Sequence, residues 1–525
     1  MKHFPLVVGF SSLLTLFAAT VGMAQDNSLK NQVRDYPPDF NQYHRSIVPE
    51  DLAPGGEPAL PSGLTGAGPT IFIRDVVVSN TNKTLKTTNT SSNSEPSIAI
   101  NPVNPNEIDI LAFTSGWGAD APVWHTKNGG ALWSLDLTIT NPPGLSQSGC
   151  PCDQAPDFGQ NGDLSATFLD FDNTGINVYS GSTDFPASAT NWNWLLSGGV
   201  AQPTNHAGAG NADQPWLLVN NDPSKATQDD VYVAYDDFSG APDMRVAAAP
   251  GSDPPSFTID NLAGFSQGAI NPGQRLAVDH NNGAVYTLFQ QCPTTVTNCL
   301  NIAANPKTIH WILNRSTDGG KTWGLNGSAT GIQVASGQST QPTPKFGTVN
   351  ALLGGVDHVT VDPNNSDVYV VFGNRDTQTL NNRLSIVHYT ANGQGGLKKV
   401  GTAHFVTTQV QAALPSVAIA KNSTGTIGVL YMVFNGIDGT THFPMYTAML
   451  ALSTDHGVTF TQNVLEKFLS PATDNGDSRQ RILGDYEQLK SVGNTFYGVF
   501  PGNGAPFGRP FSNIDPIFFK TTVAP

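Results

Sequence analysis

Seven short runs in this sequence begin with side chains that can do chemistry: Glu95–Asn101 (EPSIAIN), Gly162–Phe168 (GDLSATF), Asp213–Asn220 (DQPWLLVN), Gly273–Asp279 (GQRLAVD), Asp357–Asp362 (DHVTVD), Leu414–Ala420 (LPSVAIA) and Gly484–Leu489 (GDYEQL). Aligned on one variable position they give the column Ser97, Ser165, Trp216, Arg275, His358, Ser416 and Tyr486. Serine suffices where a strand start needs only packing or a cap. Trp, Arg, His and Tyr bring bulk together with stacking or polar character. The same starts carry Glu95, Asp163, Asp213, Asp357, Asp485 and Glu487. Carboxyl groups facing one another across a cleft raise one another's pKa, which is what acid–base work requires. Asp213 is the candidate acid/base, with Tyr486 as nucleophile or proton donor tuned by Glu487 or Asp485. Arg275, His358, Glu95, Asp163 and Asp357 are candidate substrate contacts, and Trp216 is a stacking wall for the apolar face of a sugar. The competing reading is that these residues cap strands and join neighbours, since Asp is favoured wherever a loop leads into a strand.

Such a column needs a scaffold that presents seven equivalent strand starts to one place. In most units a second run of β-branched and aromatic residues follows, such as DVYVAYDDF, AVYTLFQ, DVYVVFGN or TIGVLYMVF, bounded by Gly, Asn, Asp or Pro. Seven units of roughly 65 residues suit four-stranded sheets set around an axis, which removes long open edges by radial closure. The expected fold is an all-β seven-bladed propeller over residues 71–525, with strand Ile71–Val78 closing the ring beside the last blade. Six blades with an insertion is the runner-up, because the second unit is the weakest copy.

Composition agrees with this reading. The 525 residues include 53 Gly and 38 Pro, only 13% are charged, and the net charge is −15. The Gly and Pro content argues against long helices. The acidity argues against nucleic acid and anionic membranes as partners. Residues 1–24 read as a signal peptide, with Lys2 followed by an uncharged stretch to Gly22-Met23-Ala24, so export is expected. Residues 25–70 form a Pro/Gly-rich arm. Cys150, Cys152, Cys292 and Cys299 fit an oxidising compartment; a Cys292–Cys299 bridge and cross-pairing of the two groups both remain open. No metal-ligand spacing is present. Asp170–Gly175 begins like a calcium loop but lacks the closing Glu, and Asp362–Asp367 reads as a hairpin turn. No cofactor is expected, the partner is a carbohydrate or glycoconjugate, and the chain is expected to act as a monomer.

A second motif stands outside the column. It reads Ser316-Thr317-Asp318-Gly319-Gly320-Lys321-Thr322-Trp323 and Ser453-Thr454-Asp455-His456-Gly457-Val458-Thr459-Phe460, with a degenerate copy from Thr126 to Trp133. This resembles the Asp-box, or BNR repeat, of sialidase-like propellers, and the chain looks most similar to bacterial exported proteins of that kind. The resemblance implies that Asp318, Trp323, Asp455, Phe460 and Trp133 are structural and that the protein is a secreted glycoside hydrolase. A non-catalytic glycan- or protein-binding propeller and a lyase on uronate-containing glycans using His358 and Tyr486 are the alternatives. Tyr486-Glu487-Gln488-Leu489 is similar to the sialidase segment bearing the tyrosine nucleophile. The family's three carboxylate-gripping arginines are not matched, since only Arg275 falls in the column.

Overall fold

In the computed structural model the described residues are those from Thr70 onward, apart from 78–92, 114–121, 139–140, 146–151, 173–174, 185–191, 207–209, 226, 240–242, 252, 267–272, 293–306, 340–344, 351–356, 376–381, 477–479, 481, 508–510 and 512. The expected signal peptide and arm therefore lie outside the described residues, as do Cys150 and Cys299.

The strands reflect their sequence directly. In Asp229–Asp237 (DDVYVAYDD), Val231, Val233 and Tyr235 pack towards the preceding sheet, with Leu169 and Val178. Tyr232 and Ala234 pack the other way, with Leu276, Val278 and Val285 of the following sheet. Alternate side chains leave a strand on opposite faces, so a sheet buried on both sides reads as a nearly continuous apolar run. Seven four-stranded antiparallel sheets result. The helical content among the described residues is one 3-10 turn, Ala505–Phe507. The protein is a seven-bladed β-propeller.

The innermost strands, in order, are Ser97–Ile100, Cys152–Phe158, Ala212–Asn221, Arg275–Asp279, Asp357–Val361, Ala412–Ile419 and Gln488–Val492. Each lies beside the next, and the last lies beside the first. The ring is closed as expected. Ile71–Asp75 forms the outer strand of blade 7, paired with Ile514–Thr522 from Ile71↔Thr521 to Asp75↔Ile517. The six-bladed alternative is excluded.

The second unit needs correcting. Leu164–Asp172, which contains Ser165, is the second strand of blade 2 and pairs with Cys152–Phe158. The inner-strand residue that occupies the column is Ala155, two positions after a left-handed Asp153 (φ 47°). The same left-handed residue precedes the column in four other blades, at Glu95, Gln214, Gly273 and Leu414. Asp163 sits in the turn joining the first two strands of blade 2, where Gly159 N–H donates to its carbonyl at 2.9 Å. That is the trailing end of the inner strand, so Asp163 does not belong to the mouth.

The two Asp-centred turns and their Asn-centred counterpart fold alike. Ser316 Oγ donates to Asp318 Oδ1 (2.8 Å) and accepts Gly320 N–H (2.9 Å), while Thr322 N–H reaches Asp318 Oδ1 at 2.9 Å. Ser453, Asp455, Gly457 and Thr459 repeat this network, and Thr126, Asn128, Gly130 and Leu132 repeat it with Asn in place of Asp. Each turn joins the third and fourth strands of its blade and presses against the preceding blade. Gly320 lies against Ala248 and Ile259, Gly457 against Ile386, and Gly130 against Phe518. The turns lie away from the axis, and Trp133 and Trp323 are buried.

Candidate functional site at the leading end of the axis

The start of each inner strand must turn the chain inward from the rim. Left-handed residues make that turn, and four of them are not glycine. A left-handed conformation costs about 1–2 kcal/mol for an ordinary residue, so surrounding contacts must hold it in place. Gln214 shows how. Its backbone N–H donates to Asp213 Oδ1 (2.9 Å), its Oε1 accepts Arg275 Nη1 (3.2 Å), and its Nε2 lies 3.5 Å from Asp485 Oδ1. In blade 7 the left-handed residue is Gly484 (φ 81°), and a side chain there would stand 2.2 Å from Glu95 Cγ.

Four large column candidates meet on the axis. Trp216 is the hub: His358 and Tyr486 approach it edge-on, with ring centroids at 5.7 and 5.9 Å. The Arg275 guanidinium lies over the Trp216 ring at 4.3 Å. With that face covered, Trp216 packs the centre and does not form the open sugar-stacking wall expected from sequence. Trp216, Arg275, His358 and Tyr486 are 3%, 1%, 7% and 5% exposed, so they form a plug. Below it, towards the trailing ends, a cavity of about 550 Å³ continues along the axis, lined by Leu218, Val278, Val361, Ile419 and Lys490, with Trp216 and His358 as its roof.

Hydrogen bonds between inner strands set the register around the ring. His358 Nδ1 accepts Val417 N–H (3.4 Å), Ser416 Oγ accepts Leu489 N–H (2.9 Å), and Gln488 Oε1 accepts Ile98 N–H (2.6 Å). In each case the column residue of one blade receives the residue that follows the column in the next. The column position of blade 7 is therefore Gln488. Tyr486 stands two residues earlier and reaches the axis from the turn. Its hydroxyl points at the Gln154 carbonyl (3.5 Å), which also accepts Ser97 Oγ (2.7 Å).

The titratable groups divide by surroundings. Burial first, then the charges of Glu95, Asp153 and Asp485, hold the Tyr486 hydroxyl well above its ordinary pKa, with Arg275 opposing. The Tyr486 hydroxyl is thus held in its neutral form. Glu487 is also raised, by burial alone, and its oxygens are buried without a hydrogen-bond partner. No axial charge acts on it, so Glu487 is not the tuning group for Tyr486; Asp485, Glu95 and Asp153 are. Asp236, opposite Asp213 on the neighbouring strand, is raised well above the carboxylate range by burial and then by Asp213, against the pull of Arg275. Asp357 rises to about 7 through burial, although Arg275, Gln290 and Trp311 favour its charge. Its Oδ2 accepts Trp311 Nε1 (2.7 Å) and Gln290 Nε2 (3.0 Å) of blade 4, so it joins blades and does not face a ligand. His358 falls to about 3, through burial and then Arg275. Its Nδ1 accepts a backbone N–H, so the ring proton sits on Nε2 and the ring is not placed to act as a lyase base.

Sequence reading missed Gln214, Asp153, Gln154 and Asp236. The repeated Asp-Gln pairs, Asp153-Gln154 and Asp213-Gln214, were the available signal for three of them. No group of three or more His, Cys, Asp or Glu among the described residues could hold a metal ion.

No protein-family profile and no curated protein matches the chain. Among solved structures it is similar to the polysaccharide lyase Uly1 (11% identity, TM-score 0.44, 80% of this chain and 88% of that one). It is also similar to the α-L-arabinofuranosidase ARB93A from Fusarium graminearum in complex with an iminosugar inhibitor (12%, 0.39, 70% and 92%). A third is the Hadza microbial sialidase Hz136 (10%, 0.30, 69% and 75%). Likenesses this distant carry no weight for the reaction, which is read from the site itself.

Proposed function

We propose that the protein is an exported, sialidase-like glycan-processing enzyme of the glycoside-hydrolase type, working at the leading end of the propeller axis. One observation carries the reading. The carboxyl pair Asp213–Asp236, acted on by Arg275, lies on the same end of the axis as the neutral hydroxyl of Tyr486 and its carboxylates Asp485 and Glu95. Breaking a glycosidic bond needs a carboxyl that still holds a proton at working pH and a negative group to stabilise the sugar cation. Asp236 keeps a proton because it is buried beside Asp213 and so makes that pair suited to acid/base work. Asp213, half-buried at the strand start, would meet the substrate; Asp236 is a positioning residue behind it. Tyr486 would donate to a sugar hydroxyl or to the leaving oxygen.

A non-catalytic binding propeller is the second reading, favoured by the burial of the four central side chains. Assay of the full chain against aryl glycosides and polysaccharides separates the two. Asp213→Asn should lower kcat by about a hundredfold or more, the range typical of losing an acid/base group, while Tyr486→Phe should lower it by roughly tenfold or more. Full activity in both variants would remove this site assignment. Glycan binding without turnover would establish the binding reading.

A further inference from the structure

We infer that the sugar accepted at this end of the axis is uncharged, and that sialic acids and uronates are excluded from it; this rests on the glycan-processing reading above. A carboxylate-bearing sugar is normally gripped by arginines presenting their forked edge to the ligand. Arg275 is the arginine that acts on the axial groups among the described residues, and its fork is already engaged. Nη1 donates to Gln214 Oε1 and to the Gln274 carbonyl (both 3.2 Å), its face lies on Trp216, and the side chain is 1% exposed. Turning it towards a ligand would strip Gln214 and uncover Trp216, dismantling the plug.

The carboxyl groups point the same way. Glu95, Asp153 and Asp485 act on Tyr486, and Asp213 and Asp357 act on Asp236, with Arg275 opposing them at both. Six carboxyl groups thus share this end of the axis with one arginine whose fork is already internally matched. A ligand carboxylate brought into this partly desolvated region would meet repulsion without a partner. An uncharged sugar meets none, and its hydroxyls can donate to the half-buried Asp213.

The test compares matched aryl glycosides with one leaving group, neutral sugars against the corresponding uronides and sialosides, with binding measured calorimetrically on the same set. The inference expects kcat/KM at least about a hundredfold higher for the best neutral member, as like-charge juxtaposition in an interface predicts. Glu95→Gln, which removes one charge at nearly constant volume, should narrow that gap by about tenfold. Equal or better turnover of the acidic sugars would overturn the inference and leave the glycan-processing reading standing. If neither class is turned over or bound, the reading of this end as a glycan site falls, and the inference falls with it.

Discussion

Asp236 is the residue that makes the axial site more than a set of strand caps. A buried carboxyl beside a second carboxyl keeps its proton, and the pair then titrates as a unit. Replacing Asp236 with Asn removes the carboxyl that holds the pair's proton, so what remains of the pair gives up its proton at lower pH. The alkaline limb of the kcat/KM profile should therefore move to lower pH, which a pH series on wild type and Asp236→Asn would measure; an unmoved limb would separate Asp236 from the chemistry. Much of this site was readable in the sequence, but unevenly. Trp216, Arg275 and His358 stood out because they replace serine in a repeating position; Tyr486 was aligned with them although Gln488 holds that position in blade 7, and all four do converge. Asp163 was misplaced because GDLSATF mimics the motif one strand late. Glu487 was misread because adjacency in sequence does not bring two side chains together: burial alone acts on it, and it does not act on Tyr486. Gln214 and Asp236 were invisible to an alignment that tracked one column, since the first lies in the irregularity between Asp213 and Trp216 and the second on the neighbouring strand.

At the scale of elements, the three Asp- or Asn-centred turns act as staples between blades. Trp133 meets Phe518 of blade 7 edge-on at 5.3 Å, its Nε1 donates to the Gly130 carbonyl (3.1 Å), and Gly130 leaves room for the Phe518 ring. Alanine at Gly130 would place a methyl group 2.2 Å from Phe518 Cε1 at φ +88°. Overpacking combined with a forbidden backbone conformation should cost about 2–4 kcal/mol, read as a lower urea midpoint. The charged turns also have a pH signature. Burial raises the Asp455 pKa somewhat, but hydrogen bonds from Thr459, Ser453 and Val458 outweigh it and bring it down to about 2; Asp318 is lowered in the same manner. A lowered carboxyl stabilises the fold above its ordinary pKa near 4 and loses that contribution as pH falls through the folded value. Between about pH 4 and 2 the urea midpoint of wild type should therefore drop more than that of an Asp318→Asn/Asp455→Asn double variant. Equal slopes would show that other carboxylates govern acid unfolding. These turns were legible because the motif is local, whereas the face each one presses on depends on blade order.

For the whole molecule, closure depends on Ile71–Asp75. Without it, Ile514–Thr522 would present an open edge, and Phe72 would leave the core it shares with Ile98, Trp124 and Phe518. A chain beginning at 78 should unfold at least about 10 °C below one beginning at Thr70, or fail to stay soluble, as expected when several buried side chains are lost from a closed sheet. Melting by circular dichroism reads this directly, and equal melting points would mean that the clasp is dispensable. The number of blades was legible because each repeats a strand start, although the second was counted on the wrong strand. Why the axis is plugged was not, because it depends on side chains from four blades meeting at distances that no local pattern encodes.

The clasp has a consequence in time. Thr521 Oγ1 donates to the Thr70 carbonyl at 2.8 Å, a bond spanning 451 positions of the chain. A polypeptide made from its N-terminus has Ile71–Asp75 in hand before any inner strand and no partner for it until Ile514–Thr522 is synthesised. Phe518, the surface on which Trp133 and Gly130 of the first blade rest, arrives equally late. Through most of synthesis the protein is an open arc of blades with two raw ends, and Tyr486 has not yet been made. The site at the axis and the closure of the ring thus come into being together, with the seventh blade.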